Sequence, residues 1–303
     1  MTNTILMIKP VAFHKNEETA VNNYYQKDTK VLESTIQTKA LKEFNTLVSK
    51  LEKVGVKVIV IKDTKTLKTP DSIFPNNWIS FHEKGEVCVY PMFAKNRRNE
   101  RRDDVLEAIE KEGFKIEHVV DYTSAEDEGL FLEGTGSMVL DRINKIAYCS
   151  LSPRSSEDLF IEFCEDMEYT PIIFRAYHSV NGKRKPIYHT NMMLSIGEKF
   201  AITCLQTIDD KKERKQVAEM LQNSGKEVIN ISKEQVDAFA ANVLQVKGAD
   251  DKNFIVMSTT AFASLSKAQV SIIEKHGKII KSSITTIEEN GGGSVRCMLA
   301  EVF

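Results

Sequence analysis

One phrase recurs along this chain and limits what it can fold into: an amphipathic helix, a glycine, then a short alternating strand. It reads LVSKLEKVGVKVIVI around Gly55, VLEAIEKEGFKIEHVV around Gly113, VAEMLQNSGKEVINIS around Gly225 and VSIIEKHGKIIKSS around Gly277. Glycine just past a last helical turn is the expected left-handed cap, and the run after it has a strand's period of two. A fifth, degenerate copy at LFIEFCEDMEYTPIIF carries Tyr169 and Pro171 near its helix end. Short strand-like runs separate the copies: NWISF, VCVYP, SMVLD, KIAYC, FAITC, FIVMS and RCMLAEV. Each unit therefore reads strand, strand, helix, strand. Such self-similarity fits equivalent modules around a common axis. An ordinary doubly wound α/β sheet also repeats helix, glycine and strand, so spacing alone leaves both open. The polar stretches Asp121 to Gly129 and His178 to Pro186 read as loops.

Composition narrows the functional classes. The chain has 303 residues, 42% of them hydrophobic, and a net charge of −2. No global field favours nucleic acid or an anionic membrane. No run approaches the roughly 20 apolar residues of a membrane span, and no basic leader opens the chain. The five cysteines are scattered and odd in number, without C-x-x-C spacing. That argues against a zinc site or a disulfide scaffold and points to a reduced, cytoplasmic enzyme. The basic run from Arg97 to Arg102 reads first as the solvated start of a helix.

Four segments place polar groups at the ends of strand-like runs, where α/β folds hold ligands. The first is TPDSIFPNNW, with Asp71, the adjacent amides Asn76 and Asn77, and the only tryptophan. The second is LFLEGTGS, where Glu133 ends an apolar run beside two glycines. The third is IYHTNMML, where His189 and Asn191 alternate on one face of an expected strand. The fourth is NGGGSVRC, where three glycines lead to Cys297. A solvated Glu, a structural His or an inert Cys is the plain reading of each alone. His178 competes with His189, and Cys88, Cys149 and Cys204 read as buried and inert. Together, however, a thiol, an imidazole and a carboxylate are the set that nucleophilic catalysis requires: Cys attacks, His moves protons, and Glu orients His and favours its charged form.

The motifs FPNNW, FLEGTGS, SPR, YHTNMML and GGGSVRC, in this order, resemble the guanidino-group-modifying superfamily, or penteins. Its members include arginine deiminase, dimethylarginine dimethylaminohydrolase and the amidinotransferases; within it the chain resembles the bacterial citrulline utilization hydrolase branch. The resemblance covers nearly the whole chain and implies a five-bladed α/β propeller of ββαβ modules, a single catalytic domain over residues 1–303. It implies Cys297 as nucleophile, His189 as acid and base, and Glu133 as its partner. Arg97 or Arg98, and Arg154, match its carboxylate-binding arginines, and Asp71 its substrate-contacting acid. No metal or organic cofactor is implied. The partners are a small-molecule amino acid and, as an open option, a second copy in a homodimer. Where arginine-processing members grip a cationic guanidinium with acids, this chain has Asn76, Asn77 and Asn191. An amide complements a neutral ureido group, which has one acceptor and several donors. The expectation is a citrulline-like substrate, with guanidino hydrolysis, amidino transfer or silent amino-acid binding as alternatives.

Overall fold

The repeat becomes five three-stranded sheets in the computed structural model, which describes residues 1–303. The chain begins with β1 (Thr4–Lys9), a helix Glu33–Lys53, and β2 (Lys57–Lys62). There follow β3 (Ile79–Phe81), β4 (Glu86–Val89) and β5 (His118–Asp121), then β6 (Met138–Asp141), β7 (Ile146–Ser150) and β8 (Thr170–Phe174). A hairpin of β9 (Tyr177–Val180) and β10 (Lys183–Pro186) interrupts the series. The last strands are β11 (Leu194–Ile196), β12 (Phe200–Thr203), β13 (Glu227–Asn230), β14 (Leu244–Lys247), β15 (Asn253–Ser258), β16 (Lys278–Ser282) and β17 (Ala300–Val302).

Every sheet has the same topology. The middle strand pairs antiparallel with one neighbour and parallel with the other, and a helix connects the parallel pair, as in β6–β7–β8 or β14–β15–β16. The fifth sheet, β17–β1–β2, is assembled from both ends of the chain. This brings Cys297, which immediately precedes β17, into the first module. The crossover helices cover the sheets with apolar stripes. Helix Glu33–Lys53 buries Ile36, Ala40, Phe44, Leu47 and Leu51, the three-to-four spacing of one helical face.

The caps follow the sequence expectation at three of four glycines: Gly55, Gly113 and Gly225 have φ of 85°, 94° and 75°. Gly277 is not left-handed; a side chain there would meet the Asn253 carbonyl oxygen at 2.8 Å, so close approach is the constraint. In the degenerate copy Glu168 takes the left-handed position, with φ 57°. Two expected loops are more ordered than that. His178 to Pro186 is the β9–β10 hairpin, turning at Asn181 and Gly182, and Thr123–Glu128 forms 3-10 turns. No helix is long and apolar enough to cross a membrane.

Candidate active site

Each first strand of a module is preceded by a short turn, and these turns carry the chemistry. Turns Pro75–Asn77, Gly134–Ser137, Thr190–Met192 and Val295–Met298 lead to β3, β6, β11 and β17; the stretch Phe239 to Val243 leads to β14. His189 and Asn191 therefore do not alternate along a strand. His189 is the extended residue before its turn and Asn191 lies inside it. Likewise Cys297 sits in a turn rather than at a strand's start.

Cys297, His189, Asp71, Asn77, Arg97 and Arg154 line one narrow pocket, with Asn23, Phe74, Tyr188, Gly291 and Gly293. Glu133 stands behind the imidazole, its Oε2 2.8 Å from His189 Nε2, and its Oε1 accepts the Phe93 amide at 3.0 Å. The ring fits because position 136 is glycine. A Cβ there would press on His189 Nδ1 at 2.7 Å and Asn77 Nδ2 at 2.4 Å. Burial alone would raise the Glu133 carboxyl, but Arg154, His189 and Arg97 hold it well below the usual carboxylate range. Burial lowers His189 to about 4, against the pull of Glu133. Glu133 does pull toward imidazolium, as expected, but desolvation of a ring 1% exposed outweighs that pull and favours the neutral form.

The arginines sort themselves by burial. Arg97 is 2% exposed and forms a fork with Glu100 at 2.9 and 2.8 Å; it also donates to Asn77 Oδ1 at 2.7 Å and to the Phe74 carbonyl at 3.2 Å. The solvated-helix reading of the basic run fails here, because Arg97 lies in a buried 3-10 turn and the helix starts only at Asp103. Arg98 points away, pairing with Glu126 at 3.2 Å and the Met92 carbonyl, and is corrected out of the site. Arg154 approaches Glu133 Oε2 at 3.4 Å and lies over the Tyr188 ring, 4.7 Å from its centroid.

Asn76 and Asn191 are buried but do not line the cavity. Asn76 braces the floor through Thr135 Oγ1 at 3.3 Å and Asn77 Nδ2 at 3.1 Å. Asn191 Nδ2 reaches the Cys297 sulfur at 3.5 Å. Asp71 accepts from Asn16 and Thr19 through Oδ2, while its buried Oδ1 has no partner.

Two sets of residues escaped sequence reasoning. Asn242 approaches the sulfur at 3.3 Å. Its signal was a fourth strand-leading phrase, Phe239-Ala-Ala-Asn242, matching Phe74-Pro-Asn-Asn77. The second set is a roof, residues 16–23. Arg154 donates to the Asn22 side chain and the Thr19 carbonyl, and Asn23 donates to the Gly291 carbonyl at 3.1 Å. Gly292, with φ 62°, turns the chain there; a side chain at this position would meet Asn23 Oδ1 at 2.5 Å.

The other cysteines are free and buried, and burial pushes Cys88 and Cys164 up to about 12. His178 stacks on Tyr25, 5.2 Å between centroids and away from this cavity. No group of three His, Cys, Asp or Glu side chains is arranged to hold a metal ion.

The family model described as N,N dimethylarginine dimethylhydrolase, eukaryotic, matches residues 9–303. Among solved structures, the N-terminal domain of ArgZ, covalently bound to a reaction intermediate, has a TM-score of 0.73 at 15% identity. That match covers 99% of this chain and 97% of the domain. Full-length ArgZ, a cyanobacterial arginine dihydrolase, has a TM-score of 0.73 at 16% identity, over 98% of this chain and 40% of that one. The chain thus spans about two fifths of that protein's length. A dimethylarginine dimethylaminohydrolase in adduct with S-methyl-L-thiocitrulline has a TM-score of 0.61 at 13% identity, over 99% of both chains. No curated protein matches the chain by sequence. At these identities the likeness is one of fold, a mixed α/β architecture shared with these guanidino-modifying enzymes.

Proposed function

Because the chain belongs to the N,N-dimethylarginine dimethylhydrolase family, within the pentein superfamily, we propose that it cleaves a C–N bond in the ureido or guanidino group of a free amino acid through a thiol adduct on Cys297. It is a hydrolase of C–N bonds other than peptide bonds. The observation that carries the reading is a thiol, a carboxylate-held imidazole and two buried arginines lining or backing one pocket. Five modules around a common axis, one catalytic unit over residues 1–303, fit the packing of β17 against β3, β6 against β11 and β11 against β14.

The neutral imidazole sets the proton sequence. His189 has Nε2 committed to Glu133, so the Cys297 proton passes to its other nitrogen through a bridging water, the sulfur's own polar contacts being Asn191 and Asn242. The thiolate attacks the ureido carbon. Imidazolium, now stabilised by Glu133, returns the proton to the departing nitrogen as the C–N bond breaks. His189 then activates water, which displaces the thiolate. With citrulline and departure of the side-chain nitrogen, the products are ornithine and carbamic acid, which decomposes to carbon dioxide and ammonia. Arg154 binds the α-carboxylate after releasing Asn22, and Arg97 contributes its one uncommitted N–H.

Citrulline is favoured by Asn77. Its Oδ1 accepts from Arg97 and one Nδ2 hydrogen goes to Asn76, so it has one Nδ2 hydrogen left to donate beside a partly used oxygen. A ureido oxygen accepts from that donor, whereas a guanidinium has only donors of its own. A second reading, arginine or a methylated arginine, is favoured by the unpartnered buried Asp71 Oδ1, an acceptor suited to a cation. A panel of citrulline, arginine and methylated arginines, assayed for ornithine and ammonia, separates the two. Asn77→Asp is expected to move the ratio of kcat/KM values toward arginine; an unchanged ratio removes the ureido argument.

A further inference from the structure

The polar groups touching the Cys297 sulfur are amides: Asn242 Nδ2 at 3.3 Å and Asn191 Nδ2 at 3.5 Å. Their orientation is fixed by other partners. Asn242 Oδ1 accepts the Arg296 backbone N–H at 3.0 Å, so its nitrogen must face the sulfur. Asn242 Nδ2 has two hydrogens and four acceptors in reach, the Asn191 backbone oxygen at 3.2 Å, Asn191 Oδ1 at 3.3 Å, the Cys297 sulfur at 3.3 Å and the Met192 sulfur at 3.7 Å; one hydrogen can serve Asn191 and the other the sulfur that becomes charged. Asn191 spends one hydrogen on the Thr135 carbonyl at 3.4 Å and has one left. Both residues are at most 1% exposed, so no water competes for these positions.

We infer that Asn242 is a catalytic residue: with Asn191 it forms a two-donor cradle that holds the sulfur and favours its thiolate over its thiol. The inference rests on Cys297 being the nucleophile. Donors aimed at a buried anion stabilise it relative to the neutral form. The charged or titratable groups that share the pocket with the sulfur are Arg97, Arg154, Asp71 and His189, but the polar atoms in contact with it are those of the two amides. The same amide serves the thiol, since Oδ1 of Asn242 lies 3.6 Å from the sulfur and can receive the S–H. One residue therefore contacts the sulfur in both protonation states, and its anchor to Arg296 fixes the nucleophile's neighbour in the chain.

The test is the rate of alkylation by iodoacetamide as a function of pH, measured on gel-filtered protein, with Cys297→Ala as the blank. Asn242→Ala is expected to slow alkylation at pH 7 about tenfold and move the profile to higher pH, because a hydrogen bond to a charged group is lost. Asn242→Asp keeps the acceptor for the Arg296 amide, removes the donor and adds a negative charge. It is expected to fold when the alanine variant does not, and to slow alkylation further. Wild-type profiles in the folded variants overturn the inference. If Cys297→Ala alkylates and turns over like wild type, the nucleophile assignment itself falls, a different result from unchanged Asn242 variants in a protein whose Cys297 is essential.

Discussion

The floor and the roof of the cavity are built on different principles. The floor is made of the turns that lead into β3, β6, β11, β14 and β17, one repeated position supplying in succession Asn77, Glu133, His189, Asn242 and Cys297 or their neighbours. Each turn is fixed by the sheet behind it, so its side chains are held by the most buried part of the molecule. The roof, residues 16–23, belongs to no module. It is held by side-chain hydrogen bonds that Asn16 and Thr19 donate to Asp71, Asn23 donates to the Gly291 carbonyl, and Asn22 accepts from Arg154. A repeated scaffold positions reacting groups, whereas a non-repeated segment held by polar contacts can be exchanged for substrate. Floor changes should therefore destroy chemistry, and roof changes should mainly alter binding.

The largest expected effect is in the floor. Cys297→Ala should lower kcat by on the order of 10⁴-fold or more while citrulline binding stays measurable by calorimetry. Glu133→Gln should lower kcat on the order of 10²-fold or more, since His189 loses the charge that stabilises imidazolium. It also leaves Arg154 without a carboxylate partner and should cost about 3–5 kcal/mol in denaturant unfolding. A Glu133→Gln variant with full activity would show that the imidazole works without its carboxylate partner.

Acid should act on the floor next. His189 has an ordinary value of 6.5 and is lowered to about 4 in the fold, so the unfolded chain binds a proton in that window and the native one does not. Stability is then complete above pH 6.5 and falls as pH drops toward 4. At about 1.4 kcal/mol per tenfold change in proton affinity, this group accounts for on the order of 3 kcal/mol. His178, also lowered to about 4 by burial, acts in the same direction. Melting temperature at pH 5 should lie below that at pH 7, and His189→Gln should reduce the difference. An unchanged difference would mean that the ring takes up its proton alike in the native and unfolded states.

The smallest effect belongs to the roof. Asn22→Ala frees Arg154 from a competing acceptor and should lower KM severalfold with kcat within about twofold. The stability loss should stay near 1 kcal/mol, the net value of a hydrogen bond. A collapse of kcat in this variant would break the distinction between floor and roof.

The same distinction explains what the sequence disclosed. Module order was readable because helix, glycine and strand recur with local periodicity. Glu133 and Cys297 were readable because glycines flank them, and Gly136 does make room for the imidazole. The choice between Arg97 and Arg98 was not readable. Neighbours on a 3-10 turn face different ways, and only the coordinates show Arg97 buried against Glu100. Asn242 was overlooked although its phrase repeats that of Asn77, because its partner, the sulfur, lies 55 residues away. The roof gave no signal at all. Asn22 meets Arg154 across 132 residues, and neither local periodicity nor charge pattern marks such a contact.

Every step of the proposed hydrolysis passes through a covalent bond between Cys297 and the carbon of the substrate's ureido or guanidino group. Acid quenching during steady-state turnover of citrulline, followed by mass spectrometry of the peptide containing residue 297, tests it directly. The expected result is a carbamoyl adduct on Cys297 that appears within one turnover, disappears when substrate is exhausted, and is missing in Cys297→Ala. Active enzyme that carries no adduct at any quench time, or carries it on another cysteine, would contradict the account.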